Sequence, residues 1–169
     1  MHSSVDRRLL DRQRPDVLIL ATGGEPIVPP IPGVDLPHVV QAWDVLSGKV
    51  DTGERVVIIG GGAVGVETAM FLAEKGTLPA EALKFLLVNR AESYETLYDL
   101  ATRGSKDVVV VEMTDKVGNG IGKSTKWGMF QDMERKLLRL IMNPAMMAVH
   151  RPACGGRPEA IAKAMPSGS

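Results

Sequence analysis

Residues 55–67 read Arg55-Val-Val-Ile-Ile-Gly60-Gly-Gly62-Ala-Val-Gly65-Val-Glu67. β-Branched apolar residues lead directly into the glycines and a helical pattern follows, so the stretch predicts a strand, a tight turn and a helix. Gly60 then allows the turn, Gly62 lets the backbone approach a pyrophosphate, and Gly65 lets the helix pack closely on the strand. The unpaired N–H groups that begin the helix would face the anion.

The predicted contacts of this turn with a dinucleotide are Gly60, Gly61, Gly62, Ala63, Val64, Gly65 and Glu67. Glu67 is expected in the first helical turn, where its charge suits the helix dipole. A structural role, tying the helix to neighbouring backbone, is the alternative for this side chain. A glycine-rich turn without any ligand is the alternative for the whole motif.

Composition narrows the class of protein. The 169 residues suggest one domain or parts of two, and 20 basic residues balance 20 acidic ones. The even charge and the 4% aromatic content argue against nucleic acid and anionic membranes as partners. The chain has no apolar leader and no apolar run long enough to span a bilayer, so a soluble, cytoplasmic protein is expected.

Other chemistry has little support in the sequence. The three histidines are scattered, without carboxylates or cysteines at ligand spacing, and the single cysteine, Cys154, has no partner for a disulfide or a metal set. The sequence therefore predicts neither a metal site nor a catalytic residue within this chain.

Further elements follow from apolar patterns and from turn residues. A proline-rich segment at 26–33 should be extended. The last predicted helix, over 124–142, places Trp127, Phe130, Met133, Leu137 and Ile141 on one face. The predicted strands are Asp16–Leu20, 55–59 and Asp107–Glu112. The other predicted helices are Val5–Gln13, Gln41–Ser47, one from Gly65 to Lys75, one beginning at Thr77–Glu81, and one from Ser93 to about Arg103.

Glu112 ends the second strand of the predicted nucleotide-binding unit. An acidic residue at this point accepts hydrogen bonds from the adenosine ribose, and its charge disfavours a 2′-phosphate, which favours NAD(H) over NADP(H). Glu112 follows Gly60 by much more than the usual interval of about 20 residues, and a helical insertion over 77–104 would account for the extra length. The alternative is a strand that simply ends in solvent, and the nearby Lys116 complicates the cofactor preference.

The order of these motifs resembles a known family. The block from Pro15 to about Asp132 is similar to the C-terminal FAD- and NAD(P)-binding region of NADH:flavin oxidoreductases of the 2,4-dienoyl-CoA reductase type, which are pyridine nucleotide-disulfide oxidoreductase-like flavoproteins. The segments that carry the resemblance are Asp16-Val-Leu-Ile-Leu-Ala-Thr-Gly-Gly24, Pro-Pro-Ile-Pro-Gly33, His38-Val-Val-Gln-Ala-Trp-Asp-Val-Leu46, the glycine motif, the inserted 83–92 helix and Val-Val-Val-Val-Glu112-Met.

The resemblance implies a partial α/β fold: a Rossmann-like βαβ nucleotide-binding unit with a parallel sheet, from an incomplete flavoprotein with two dinucleotide-binding domains. Residues 1–33 would be a remnant of the FAD-binding domain, in which Ala21, Thr22 and Gly23 lie beside the flavin nucleotide. Residues 34–53 would be a linker with a short helix, and 54–142 a partial NAD(H)-binding domain with its insertion at 77–104. The tail, 143–169, is expected to be irregular.

In such flavoproteins NADH passes hydride to FAD. This sequence lacks the family's catalytic barrel, an iron–sulfur cysteine cluster, an N-terminal FAD motif and the second half of the NADH domain. We therefore expect a truncated, frame-shifted or excised piece that binds NADH, and that binds FAD only with a missing domain or a partner chain. The alternative is a non-catalytic nucleotide-binding or self-associating remnant with no turnover of its own, whose open sheet edge is covered by self-association into a homo-oligomer.

Overall fold

The computed structural model describes residues 5–142 and the strand at 160–163. The elements in chain order are α1 (Arg7–Gln13), β1 (Val39–Gln41), α2 (Ala42–Leu46), β2 (Arg55–Ile59), α3 (Ala63–Glu74), α4 (Ala80–Val88), α5 (Tyr94–Thr102), β3 (Asp107–Glu112), α6 (Lys123–Arg135), β4 (Arg139–Met142) and β5 (Ala160–Lys163). None of the helices in this described part has the length and apolar character needed to cross a bilayer.

The strands form one parallel sheet in the order β1-β5-β2-β3-β4. β2 lies inside it, pairing with β3 on one side and with β5 on the other, and Ile58 is opposite both Val110 and Ala162. From β2 the chain moves outward through β3 to β4, and β5 then lies on the opposite side of β2. The sheet order therefore reverses at β2, and such a switch point is where open α/β sheets bind ligands. The predicted α/β class with a parallel sheet is confirmed.

The core lies between the middle strands and the helices that cover them. β2 and β3 contribute Val56, Ile58 and Val110, while α3 contributes Leu72 and Ala69. The two strands can be almost continuously apolar because a parallel sheet with helices packed on it is buried on its faces. This packing holds the N-terminus of α3 close to the carboxyl end of β2.

The insertion over 77–104 forms helices α4 and α5, which contact each other, and the insertion is closed at its base. The amide of Ser105 donates to the carbonyl of Lys75 at 2.8 Å. Ser93, where the sequence predicts a helix to begin, caps α5 and accepts from the amide of Thr96 at 3.1 Å. The helix predicted to begin at Thr77–Glu81 begins at Ala80, with Pro79 at the cap position, and the Thr77 hydroxyl donates to the carbonyl of Glu74 at the end of α3.

The helix predicted over 124–142 is wrong over its last seven residues. α6 ends at Arg135, and Leu137 has φ +54°, a left-handed conformation that stops a helix. Residues 139–142 form β4 instead, paired in register with β3. The predicted apolar face is also broken, because Trp127 is 70% exposed whereas Met133 is buried.

The strand predicted over Asp16–Leu20 is also wrong. Residues 17–20 have no regular structure, and the exposed fractions of these four residues range from 51% to 82%. A strand is stabilised by its neighbours, and none of the sheet's five strands pairs with this segment. The apolar run is therefore an exposed surface in the described structure.

Two predicted segment roles also need correction. Residues 34–53 are more than a linker, because β1 is an edge strand of the sheet and α2 buries Ala42 and Val45 in the core. The tail predicted to be irregular contains β5 at 160–163, which pairs with both β1 and β2. The strands that pair with β5 are distant from it in sequence, so the residues around 160–163 carry no local pattern that predicts this strand. The rest of the predicted tail, including Cys154, lies outside the described residues.

Candidate nucleotide-binding site

The candidate site is at the carboxyl edge of the sheet. Since all strands are parallel, their carboxyl ends meet at this edge, and the residues that follow β2 and β3 are brought together there. Gly60 comes directly after β2, and Glu112 is the last residue of β3. Ile59 and Val111, the residues just before them, are paired in the sheet.

The glycine turn joins β2 to α3 without interruption. Gly60 has φ +104°, a conformation that side-chain-bearing residues rarely adopt, and its amide donates to the carbonyl of Val111 at 2.8 Å. Gly62 is the cap residue of α3, and α3 begins at Ala63. Gly65 is buried, consistent with the close helix–strand packing predicted for it.

The start of α3 offers donors without acceptors. The first intrahelical bond runs from the amide of Val66 to the carbonyl of Gly62 at 3.0 Å, so the amides of Ala63, Val64 and Gly65 precede it. Gly62 contributes no capping side chain. Uncapped N–H groups and the positive end of the helix dipole bind anions, and a backbone without a side chain lets a pyrophosphate come close.

Glu112 is held against the glycine turn. Its Oε2 accepts from the amide of Gly61 at 2.6 Å, and its Oε1 accepts from the amide of Thr114 at 2.9 Å. The alternative in which Glu112 merely ends a strand in solvent is therefore wrong. The insertion accounts for the long sequence interval, as predicted, because it leaves β2 and β3 paired in register. A contact of Glu112 with ribose stays a prediction.

The loop over 113–122 forms a further side of the site that sequence reasoning missed. Val117 is buried, and the amide of Gly118 donates to the carbonyl of Gly61 at 2.6 Å. Gly118 and Gly120 both have positive φ, a conformation that favours glycine. Two glycines this close together, a few residues after the acidic end of a strand, were the signal in the sequence for this loop. Lys116 is exposed on this loop, and its effect on cofactor choice stays a prediction.

Comparison with known proteins identifies the family. A family model described as pyridine nucleotide-disulphide oxidoreductase matches residues 10–152. The chain belongs to this family. Its parallel sheet is the Rossmann-like FAD- and NAD(P)-binding fold of these flavoprotein oxidoreductases.

Individual relatives are consistent with this assignment. The chain is 44% identical over 134 residues to a metal reductase of Desulforamulus reducens, covering 79% of this chain and 20% of that protein. It is 38% identical over 134 residues to an NADH oxidase of Thermoanaerobacter brockii, covering 73% of this chain and 21% of that protein. The chain thus spans about a fifth of the length of the curated relatives it matches.

Solved structures show the same fold at low sequence identity. A 2-naphthoyl-CoA reductase in complex with 2-naphthoyl-CoA superposes with a TM-score of 0.61 at 24% identity, over 94% of this chain and 21% of that one. A water-forming NADH oxidase from Lactobacillus brevis bound to NADH gives 0.50 at 18% identity, over 83% of this chain and 28% of that one.

Within this family member, other predicted site residues lie apart from the turn. Ala21, Thr22 and Gly23 are exposed, in a segment without helix or strand. Glu67 is not in the first turn of α3, because the helix begins at Ala63, inside the glycine motif; Glu67 is the fifth residue of α3 and is exposed. Their roles at a cofactor stay predictions. Across the described residues, no group of three or more His, Cys, Asp or Glu side chains is arranged to hold a metal ion.

Proposed function

We propose that this chain is the NADH-binding portion of a flavin-dependent oxidoreductase of the 2,4-dienoyl-CoA reductase or NADH:flavin oxidoreductase type. In the full-length context, hydride from NADH would be transferred to FAD. The observation that carries the proposal is the uncapped start of α3 behind Gly62, with the carboxylate of Glu112 at the same sheet edge.

The residues present fit a dinucleotide. The amides of Ala63, Val64 and Gly65 would bind the pyrophosphate, since no side chain caps them. Glu112 uses one lone pair of each oxygen on backbone amides, which leaves capacity for the ribose hydroxyls. Its charge would favour NAD(H) over NADP(H). When bound, NADH supplies the reducing hydride at its nicotinamide ring.

The flavin side is proposed only together with other parts of a larger protein or with a partner chain. Ala21, Thr22 and Gly23 would contribute backbone beside the FAD nucleotide, and their exposure leaves them accessible to such a lobe. The names of two relatives support an oxidoreductase function for the larger protein, because both the metal reductase and the NADH oxidase are oxidoreductases. The dienoyl-CoA reductase type rests on the order of sequence motifs.

A second candidate is a non-catalytic, self-associating remnant. The observation that favours it is the exposed apolar run at 17–20, because exposed apolar segments of this kind mark association surfaces. In this case the purified chain would form homo-oligomers and bind NADH weakly or not at all.

Titration of the purified chain with NADH, followed by nicotinamide fluorescence, separates these candidates. Gly62→Glu puts a carboxylate at the cap of α3 and should weaken NADH by about 100-fold or more, since like-charge juxtaposition costs several kcal/mol. Gly128→Glu is the matched control, because a Cβ at Gly128 meets nothing within 4 Å. Its affinity should equal that of the unsubstituted chain.

The absence of any fluorescence change with the unsubstituted chain would refute NADH binding. Size-exclusion chromatography of the same sample would then show whether the chain self-associates. A yellow flavin that copurifies would indicate that oligomerisation replaces the missing FAD lobe. We expect no reduction of an enoyl thioester by this chain with NADH, and measured turnover would contradict the assignment as a binding portion only.

A further inference from the structure

The middle glycine of the turn is more constrained than the motif requires. In the G-x-G-x-x-G pattern, position x is unrestricted, and here it is Gly61. Gly61 is buried, and both of its backbone polar groups are already used. Its amide donates to Oε2 of Glu112 at 2.6 Å, and its carbonyl accepts from the amide of Gly118 at 2.6 Å. Neither group is directed to an external anion.

A side chain at Gly61 would compete with Glu112 for the same space. An ideal Cβ at this position would lie 3.1 Å from Cβ of Glu112, 3.2 Å from Oε2 of Glu112 and 3.2 Å from Cγ1 of Val117. These distances are shorter than ordinary van der Waals contacts of about 3.5–4.0 Å. Since Val117 is buried and cannot easily retreat, the carboxylate is the group that would move.

We propose that Gly61 is a positioning residue for Glu112 and sets the discrimination between NADH and NADPH, rather than being a ligand of the pyrophosphate. The amides of Gly61 and Thr114 donate to Oε2 and Oε1 of Glu112, and the absence of a Cβ at Gly61 leaves the space that the carboxylate occupies. The carboxylate can then face the ribose hydroxyls in a fixed orientation and repel a 2′-phosphate. The proposal rests on the proposed function, since it requires a dinucleotide whose ribose lies at Glu112.

A double-mutant cycle on the purified chain tests it, with Gly61→Ala, Glu112→Ala and the double variant titrated with NADH and with NADPH. Gly61→Ala should weaken NADH about tenfold, as expected for a displaced charge-assisted hydrogen bond, and should weaken NADPH less than about threefold. In the Glu112→Ala background, Gly61→Ala should change NADH affinity by less than about twofold.

Gly128→Ala is the matched control. Gly128 lies within α6, outside the loop over 113–122, and a Cβ there meets nothing within 4 Å, so both affinities should stay unchanged. Equal losses for the two nucleotides, or losses that add in the double variant, would overturn the proposal. Either result would mean that residue 61 acts on the pyrophosphate or on the turn itself.

A second measurement needs no nucleotide. Hydrogen exchange of the Gly61 amide, followed by NMR, should accelerate about tenfold in Glu112→Ala, because its acceptor is gone. An unchanged exchange rate would overturn the positioning role even if NADH binds. Faster exchange in a chain that binds no NADH would support the contact and assign the failure to the proposed function.

Discussion

One methyl group added at Gly104 would meet backbone atoms at very short distances. Gly104 precedes Ser105, whose amide donates to the carbonyl of Lys75 at 2.8 Å. A Cβ at Gly104 would overlap the carbonyl oxygens of Ala73 and Lys75 and would lie 3.1 Å from the carbonyl carbon of Ala73. These are backbone atoms at the end of a packed helix, so they cannot move aside as a flexible side chain would.

The expected cost follows from two contributions. Overpacking a well-packed site costs about 1–3 kcal/mol, and weakening the Ser105–Lys75 hydrogen bond costs about 1 kcal/mol. Gly104→Ala should therefore lower the free energy of unfolding by about 2–4 kcal/mol. For a chain of this size that corresponds to a Tm lower by about 5–15 °C. The insertion should separate from α3 first, because its base is the disturbed contact.

Gly128→Ala is the matched control and should have the opposite sign. Gly128 lies within α6, and a Cβ there meets nothing within 4 Å. Alanine in a helix interior is more stable than glycine by about 0.5–1 kcal/mol. Urea unfolding of both variants, followed by circular dichroism, gives the two free energies. Equal stabilities of Gly104→Ala and the unsubstituted chain would refute the close approach of residue 104 to the end of α3.

Two further substitutions test the packing around the sheet by the same unfolding assay. Lys106→Met should cost about 1–3 kcal/mol, because Nζ of Lys106 donates to the carbonyls of Thr52 and Gly53 at 2.8 and 2.9 Å, and their loss leaves part-buried acceptors without a donor. No loss of stability would contradict these bonds. Ile58→Ala should lower the free energy of unfolding by about 2–5 kcal/mol, since Ile58 is fully buried. Ile141→Ala should lower it clearly less, because Ile141 is half-exposed. Equal losses would place Ile58 outside the core.

The parts of the fold that sequence predicted are those whose signal is local. The apolar runs of β2 and β3 are sufficient by themselves, because strands buried on both faces need no alternation. Ser93 is only three residues before Thr96, whose amide it caps, so the start of α5 could also be located from the sequence. The glycine turn could also be predicted, because its glycines follow β2 directly and Gly60 has the positive φ that favours glycine.

The parts that were missed depend on distant partners or on backbone conformation. The spacing of Leu137 fits a helix, and only its left-handed φ ends the helical pattern before β4. Residues 17–20 have the composition of a strand but no pairing neighbour in the sheet, whereas β5 has neighbours that lie far from it in sequence. At the site, Glu112 could be predicted from its place at a strand end. The closure by Val117 and Gly118 could not, because it depends on how a loop folds back on Gly61.

The closed base of the insertion also bears on the order in which the chain folds. β2 and β3 must find each other across the whole segment from Gly60 to Lys106, and parallel strands cannot use a hairpin to do so. If α4 and α5 form early and the Lys75–Ser105 hydrogen bond is already made, less than half of this segment remains as an open loop between β2 and β3. The free-energy cost of closing that loop is then lower by about 0.8 kcal/mol. The insertion would then act as a folding nucleus that speeds assembly of the nucleotide-binding edge.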